Sequence, residues 1–374
     1  MAKRAYLGID GMARKIKRGY IGVNEAARKI KKAYIGVGGV ARPCWSGGEV
    51  TYYGTITPLS AAREISTAVT VGGYALFPAG TTMNAVGSPT WATVDTYDRN
   101  LTKGLAPDVS NARGNYAAAS VGNHALIVGG YSKGSTFNTV DIYDESLTHT
   151  TTTISSAASG NRGCCSTQNH AFFLFGKSSS YQSYAYDENL TRTSITSHNC
   201  QYNEGGMAVA GDYAIYTEGS VAYAYGNTLT RKAVTALSVS RQYVSLGAAT
   251  KNHALFAGGA SEWGAESVAT VDTYDADLTK GTADDLSSAR SWHGGVNLFG
   301  NALLVGGSDS EITAFYGQVD VYDEELVHKT LTSITPTGNF SGTVVGDFAI
   351  FAGGRTGPEE FADETAAAHA FTLD

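Results

Sequence analysis

The residues best placed for chemistry are five arginines that recur at one position of an internal repeat. They are Arg63, Arg113, Arg162, Arg241 and Arg290, each just ahead of a small apolar strand. A guanidinium presents a planar fork of donors that matches a carboxylate or a sugar acid. A ring of such forks on one face would bind an acidic partner. The competing reading is structural, with each arginine packed along a channel and capping carbonyls of the next repeat. Both stay open at the level of sequence. Asn203-Glu204 and Asn339 replace the arginine in two further repeats.

Other reactive residue types are scattered. His124, His170 and His253 occupy the same Asn-His-Ala turn of different repeats, so they are not expected to share a metal. The four cysteines, Cys44, Cys164, Cys165 and Cys200, are too few to frame a chain of 374 residues with disulfides. None of them has the CxxC spacing of a zinc site. The carboxylate pairs Asp284-Asp285, Glu324-Glu325 and Glu359-Glu360 fall in predicted turns and loops and read as solvated charge. HExxH and P-loop patterns are absent. These observations point to a non-enzymatic chain with no cofactor and no metal.

The elements that position these residues come from two repeat systems. The larger is an apolar run ending in glycine, at Gly80, Gly130, Gly176, Gly219, Gly259, Gly307 and Gly354. After most of these runs comes a second strand and turn, as in VDTYDRNLT (94–102), VDIYDESLT (140–148) and VDVYDEELV (319–327). Each unit reads as four short strands, A to D, and cannot bury both faces of its sheet alone. Stacking of units around an axis satisfies them. The last unit, ending in AHAFTLD, lacks a strand D, while residues 50–63 look like a strand D with its exit loop. The N-terminal strand is therefore expected to complete the C-terminal blade and remove the open edge. The expected fold class is all-β, a seven-bladed propeller over residues 46–374.

The glycine-ended strand, the VDxYD strand and the arginine before the next strand resemble the Kelch repeat over roughly residues 50–374. The resemblance departs from the usual pattern in lacking a strand-D tryptophan and, at Phe175-Gly176 and Glu218-Gly219, the double glycine. In Kelch-like propellers the matching arginines can bind acidic peptides. Some such propellers are copper oxidases, but the clustered Tyr, His and Cys that this requires are not evident here.

The smaller system fills residues 5–45 with a period of 14, keeping Tyr6, Tyr20 and Tyr34 in register, with Arg14, Arg28 and Arg42. Each repeat has a turn-like centre (Asp10-Gly11, Asn24-Glu25, Gly38-Gly39) and reads as a small β-hairpin. Residues 1–45 hold eleven Lys and Arg against two acidic residues, a net of +9, so the remaining 16 basic and 32 acidic residues give −16. These repeats resemble short modules at the N-termini of phage and prophage structural proteins.

On the alternating strands of a blade, the B–C and D–A loops share one face. The B–C loops differ greatly in length and carry Trp91, Tyr131, Trp263, Tyr316 and Phe361, which suits a recognition face. The leading expectation is a phage or phage-like particle protein. Residues 1–45 would attach to virion proteins, and the propeller would face outward toward a host-surface glycan or protein. The alternative is a free Kelch-like adaptor or lectin that binds an acidic partner through the arginine face. Nucleic acid ranks below protein docking as the target of the basic repeats, and homo-oligomerisation through hairpin pairing stays open. The N-terminus has charge but no apolar core, so no secretory signal is expected and the protein is placed in the virion after cytoplasmic synthesis. No apolar run reaches the length of a membrane span.

Overall fold

The structure, a computed structural model, describes residues 48–82, 90–158, 163–175, 182–196, 205–219, 221–242, 248–358 and 363–374. It also describes the backbone of six short strands between residues 6 and 46. Every regular element among these residues is a β-strand. Apart from a short hairpin, Tyr131–Ser132 with Ser135–Thr136, those from Val50 onward form seven antiparallel sheets arranged as a seven-bladed propeller.

Blade 2 shows the pattern, with strand A at Ala117–Val121, B at His124–Val128, C at Thr139–Asp144 and D at His149–Thr153. Its A, B and C strands are almost wholly buried, whereas D alternates little and faces solvent. The burial follows from position, because strand A lies against the A strands of both neighbours. Seven apolar clusters hold the ring together, each straddling two adjacent blades. No blade has a core of its own. Aromatic residues such as Tyr143 and Phe173 therefore stabilise the fold only when the neighbouring blade is in place.

The double glycines serve the same inter-blade junction. Gly130 donates its N–H to Ala158 O of the next blade at 2.8 Å. Gly129 has φ +67°, and a Cβ there would stand 2.4 Å from the same carbonyl. Only glycine permits both the left-handed backbone and that approach. The C–D turns are equally regular. Asp98 Oδ1 accepts from the N–H of Asn100 and Thr102, each at 2.8 Å. The following leucine takes positive φ in six blades, from Leu101 to Leu326.

The ring closes as the sequence predicts. Val50–Ile56 pairs antiparallel with Ala368–Leu373, in a register running from Leu373↔Val50 to Ala368↔Ile56. Just outside this pairing, Glu49 and Asp374 exchange backbone hydrogen bonds of 3.0 and 2.9 Å. Residues N-terminal to the propeller therefore join it at the C–D turn face. In the basic segment, Tyr6–Ile9 pairs with Met12–Lys15, Gly19–Val23 with Ala26–Ile30, and Lys32–Val37 with Val40–Ser46. These are three hairpins at the period of the repeat. They contain Tyr6, Arg14, Tyr20, Arg28, Tyr34 and Arg42.

Candidate functional site

On the B–C face, the residue after each of four arginines pairs with the residue just past the glycine that ends a B strand. Glu64 bridges Thr81, Gly114 bridges Tyr131, Gln242 bridges Ala260 and Ser291 bridges Ser308. This brings the D–A and B–C loops together, as the alternation of strand direction requires.

Arg63, Arg113, Arg241 and Arg290 lie beneath these bridges at no more than 1 % exposure. They are not offered to a ligand, which corrects their expected role as a binding ring. Arg63 Nη2 lies 2.7 Å from Asp95 Oδ2, and its other donors reach Ala79 O at 2.6 Å and Ala61 O at 3.2 Å. Arg290 repeats this, 2.5 Å from Asp320 and bonded to Gly306 O and Ser288 O. Arg241 pairs with Asp272 at 2.8 Å, and Arg113 pairs with Asp141. The carbonyls capped by the side chains belong to the arginine's own blade, while its main-chain carbonyl accepts from the preceding blade, as Arg113 O does from Gly80 N at 2.9 Å. Arg162 lies outside the described residues.

The partners are the first aspartates of VDxYD, which the sequence reading passed over. Each is also met from strand D, by Lys103 on Asp95, His149 on Asp141, Lys280 on Asp272 and His328 on Asp320, at 2.7 or 2.8 Å. A serine three residues before the arginine completes the group, such as Ser238, whose N and Oγ donate to Asp272. Burial alone would raise the Asp141 carboxyl, but Arg113, Ser110 and His149 outweigh it and hold it below the ordinary carboxylate range. Asp95, Asp272 and Asp320 are depressed by the same competition. A signal was available, because in most repeats this arginine and aspartate occur together. A further arginine, Arg355, is fully buried beyond Gly354, its Nε 3.5 Å from Glu64 Oε1.

The loop aromatics divide. Trp263 is 53 % exposed and Tyr131 42 %. Tyr316 is half-buried. Trp91 is also half-buried, and its backbone is tied to Gly80 and Arg113. It belongs to the scaffold as much as to the face. Phe361 lies outside the described residues. Tyr316 lines an open cleft of about 430 Å³ between the B–C loops of blades 5 and 6, and Trp263 directly precedes its lining residue Gly264.

Catalytic geometry is sparse. Gly130-Tyr-Ser-Lys-Gly134, which the sequence reading missed, has the spacing of a nucleophile elbow, but it forms a small hairpin rather than a strand–turn–helix. Its Ser132 hydroxyl is paired with Thr90 at 2.9 Å. His124, His170 and His253 stand at the A–B turns of three different blades. Cys164 and Cys165 are buried, and burial pushes the Cys165 thiol well up.

A Kelch motif model matches residues 112–150, which span blade 2 from before Arg113 to the start of strand D. No curated protein sequence matches the chain. Among solved structures, a fungal alcohol oxidase of the AA5 family, in complex with copper, superposes with a TM-score of 0.64. It is 12 % identical, and the match covers 87 % of this chain and 76 % of that one. Among the described residues no group of three or more His, Cys, Asp or Glu stands close enough to hold a metal ion. The likeness is one of fold, and the chain is a seven-bladed β-propeller that carries a Kelch motif in its second blade.

Proposed function

We propose that this chain is a display module, a propeller that binds a partner with the B–C face while residues 1–45 attach it to a larger assembly. One observation carries the reading. The basic hairpin segment joins the propeller at the C–D turn face, beside Asp374, and the irregular loops with exposed Tyr131 and Trp263 lie on the other face. Attachment and recognition can then proceed without obstructing each other. The regular C–D turns and the buried Arg–Asp pairs are scaffold in this reading, and the loops carry specificity.

The carrier suggested by the 14-residue basic repeat is a phage or phage-like particle, in which residues 1–45 dock on virion proteins and the loops face a host-surface partner. The test compares the full chain with a chain lacking residues 1–45, each mixed with density-purified particles and followed by co-sedimentation and mass spectrometry. The full chain is expected to sediment with particles and the shortened chain to stay in solution with its strand circular dichroism intact. Equal sedimentation of both chains would overturn the attachment role.

A further inference from the structure

In the other blades the strands follow one another along the chain, but strand D of blade 7, Val50–Ile56, arrives from the far end of the sequence. Residues 1–45 meet the propeller at this same strand, so any pull on the anchor enters the fold through it. The strand runs from Val50, beside Asp374 on the C–D turn face, to Ile56, whose exit leads into the D–A link on the opposite face. An anchor held at residue 49 and a partner held by the B–C loops therefore stretch it along its own axis. Ladder bonds in an antiparallel pair lie perpendicular to the strands, so such a pull loads the rungs together rather than one at a time.

The register of the strand resists sliding. Val50 is 2 % exposed and packs with Val296, Leu298 and Val305 of blade 6. A slip of one residue would turn it out of that core. A bulge opposite Ala370 and Phe371 sets Tyr53 outside the ladder and places Gly54 at φ +138°. A slip would bring another residue to that backbone position, which favours glycine. Where the load enters, Thr51 Oγ1 donates to Asp374 Oδ2 at 2.8 Å, next to the paired backbones of Glu49 and Asp374. Beyond Ile56 the chain is tied to a second blade. Thr57 O accepts from the Tyr97 hydroxyl at 2.6 Å, Ser60 N donates to Asp95 Oδ1 at 3.1 Å, and Arg63 Nη2 stands 2.7 Å from Asp95 Oδ2. Tension at residue 49 thus reaches blade 7 through the rungs and blade 1 through the exit link.

We infer that the closing strand is a tension-bearing joint, which holds the propeller on its anchor in shear. The inference rests on attachment through residues 1–45, and the experiment separates the two by supplying the anchor itself. The full chain is pulled in optical tweezers between a handle at its N-terminus and a handle on a tag inserted at Gly134. That glycine is at the tip of a hairpin on the B–C face, where a Cβ would meet nothing within 4 Å. A second molecule carries the same N-terminal handle and another after Asp374, a geometry that peels Val50 from Leu373 rung by rung. Release of the closing strand, recognised by the length of chain it frees, is expected at a force at least about twofold higher in the first geometry. Ser60→Ala with Tyr97→Phe should lower the force in the first geometry and leave the second unchanged, because peeling peaks at the first rungs. The inference is overturned by equal forces in the two geometries, or by another blade rupturing before the closing strand in the first. A double variant that leaves the first geometry unchanged, or weakens both alike, would overturn it too. Loss of co-sedimentation with particles would remove only the attachment reading and leave these forces as they are.

Discussion

In blades 1, 2, 5 and 6 the second residue of the VDxYD strand is a buried aspartate held by an arginine from the same blade. In blades 3, 4 and 7 that place is taken by Tyr184, Tyr223 and His369. The strand-D residue changes with it. Arg192 lies over the Tyr184 ring at 5.2 Å and Arg231 over the Tyr223 ring at 4.6 Å. In blade 7 the Tyr52 hydroxyl stands 3.0 Å from His369 Nδ1. One junction between strands C and D is thus built in three chemistries. In blades 1, 2, 5 and 6 the arginine and the aspartate form a unit. Blade 7 has Thr337, two residues before the expected Asn339, where Arg290 stands in blade 6, each accepting an N–H from the preceding blade's second glycine, and it lacks the aspartate too. A buried carboxylate without its cation would cost several kcal/mol.

The largest expected effect comes from splitting that unit. Asp272→Ala leaves Arg241 charged and buried with no carboxylate, and should destabilise the protein by about 3–5 kcal/mol in urea unfolding. Arg241→Met combined with Asp272→Leu should recover most of this, because the double change buries no charge. A double variant as unstable as the single one would show that the pair also supplies hydrogen bonds that no apolar replacement can match.

Acid should separate the two classes of blade. Asp95, Asp141, Asp272 and Asp320 lie below their ordinary value of 3.8 when folded. Their contribution is complete above that value and is lost as pH falls through the folded values. His253, His293 and His369 are lowered from 6.5 by burial, His293 to about 3. The unfolded chain then binds protons that the folded chain refuses, so stability declines as pH drops below 6.5. His293 alone should cost about 2 kcal/mol at pH 5. Blade 7 carries Phe340 at the matching position, immediately before its strand A. His293→Phe should therefore flatten the pH 5–7 stability profile, measured by urea midpoints, and leave the steeper loss below 3.8. An unchanged slope between pH 5 and 7 would remove His293 as the cause.

Much of this architecture was legible because it rests on local, repeated signals. Glycines such as Gly130 and Gly354 mark strand ends, Asp98 and its counterparts mark turns, and the missing strand D after Leu373 asks for residues 50–56. The three hairpins also follow from Asp10-Gly11 and its counterparts, which are turn residues between short apolar runs. The site was less legible because its determinants are separated in sequence. Arg63 meets Asp95 across 32 positions, and Asp95 reads from sequence only as the polar half of an alternating strand. Trp91 and Trp263 look alike as loop tryptophans, and only the packing of the neighbouring chain decides which is half-buried and which is presented.

The smallest effect expected tests whether the aromatic junctions are functional equivalents of the ion pairs or mere neighbours. Arg231 is partly exposed and its guanidinium covers Tyr223, so Arg231→Ala should cost about 0.5–1 kcal/mol. Lys280→Ala in blade 5 removes the corresponding strand-D cation, but Asp272 keeps Arg241 and two bonds from Ser238. Its loss should be of similar size. The two should differ in their response to conservative change. Arg231→Lys keeps the charge but loses the planar group that stacks on the ring, and should retain only part of the stability. Lys280→Arg keeps a donor within reach of a carboxylate and should be nearly neutral. If Arg231→Lys proves as harmless as Lys280→Arg, the planar stacking on Tyr223 contributes nothing. The aromatic blades would then be held by their inter-blade cores alone.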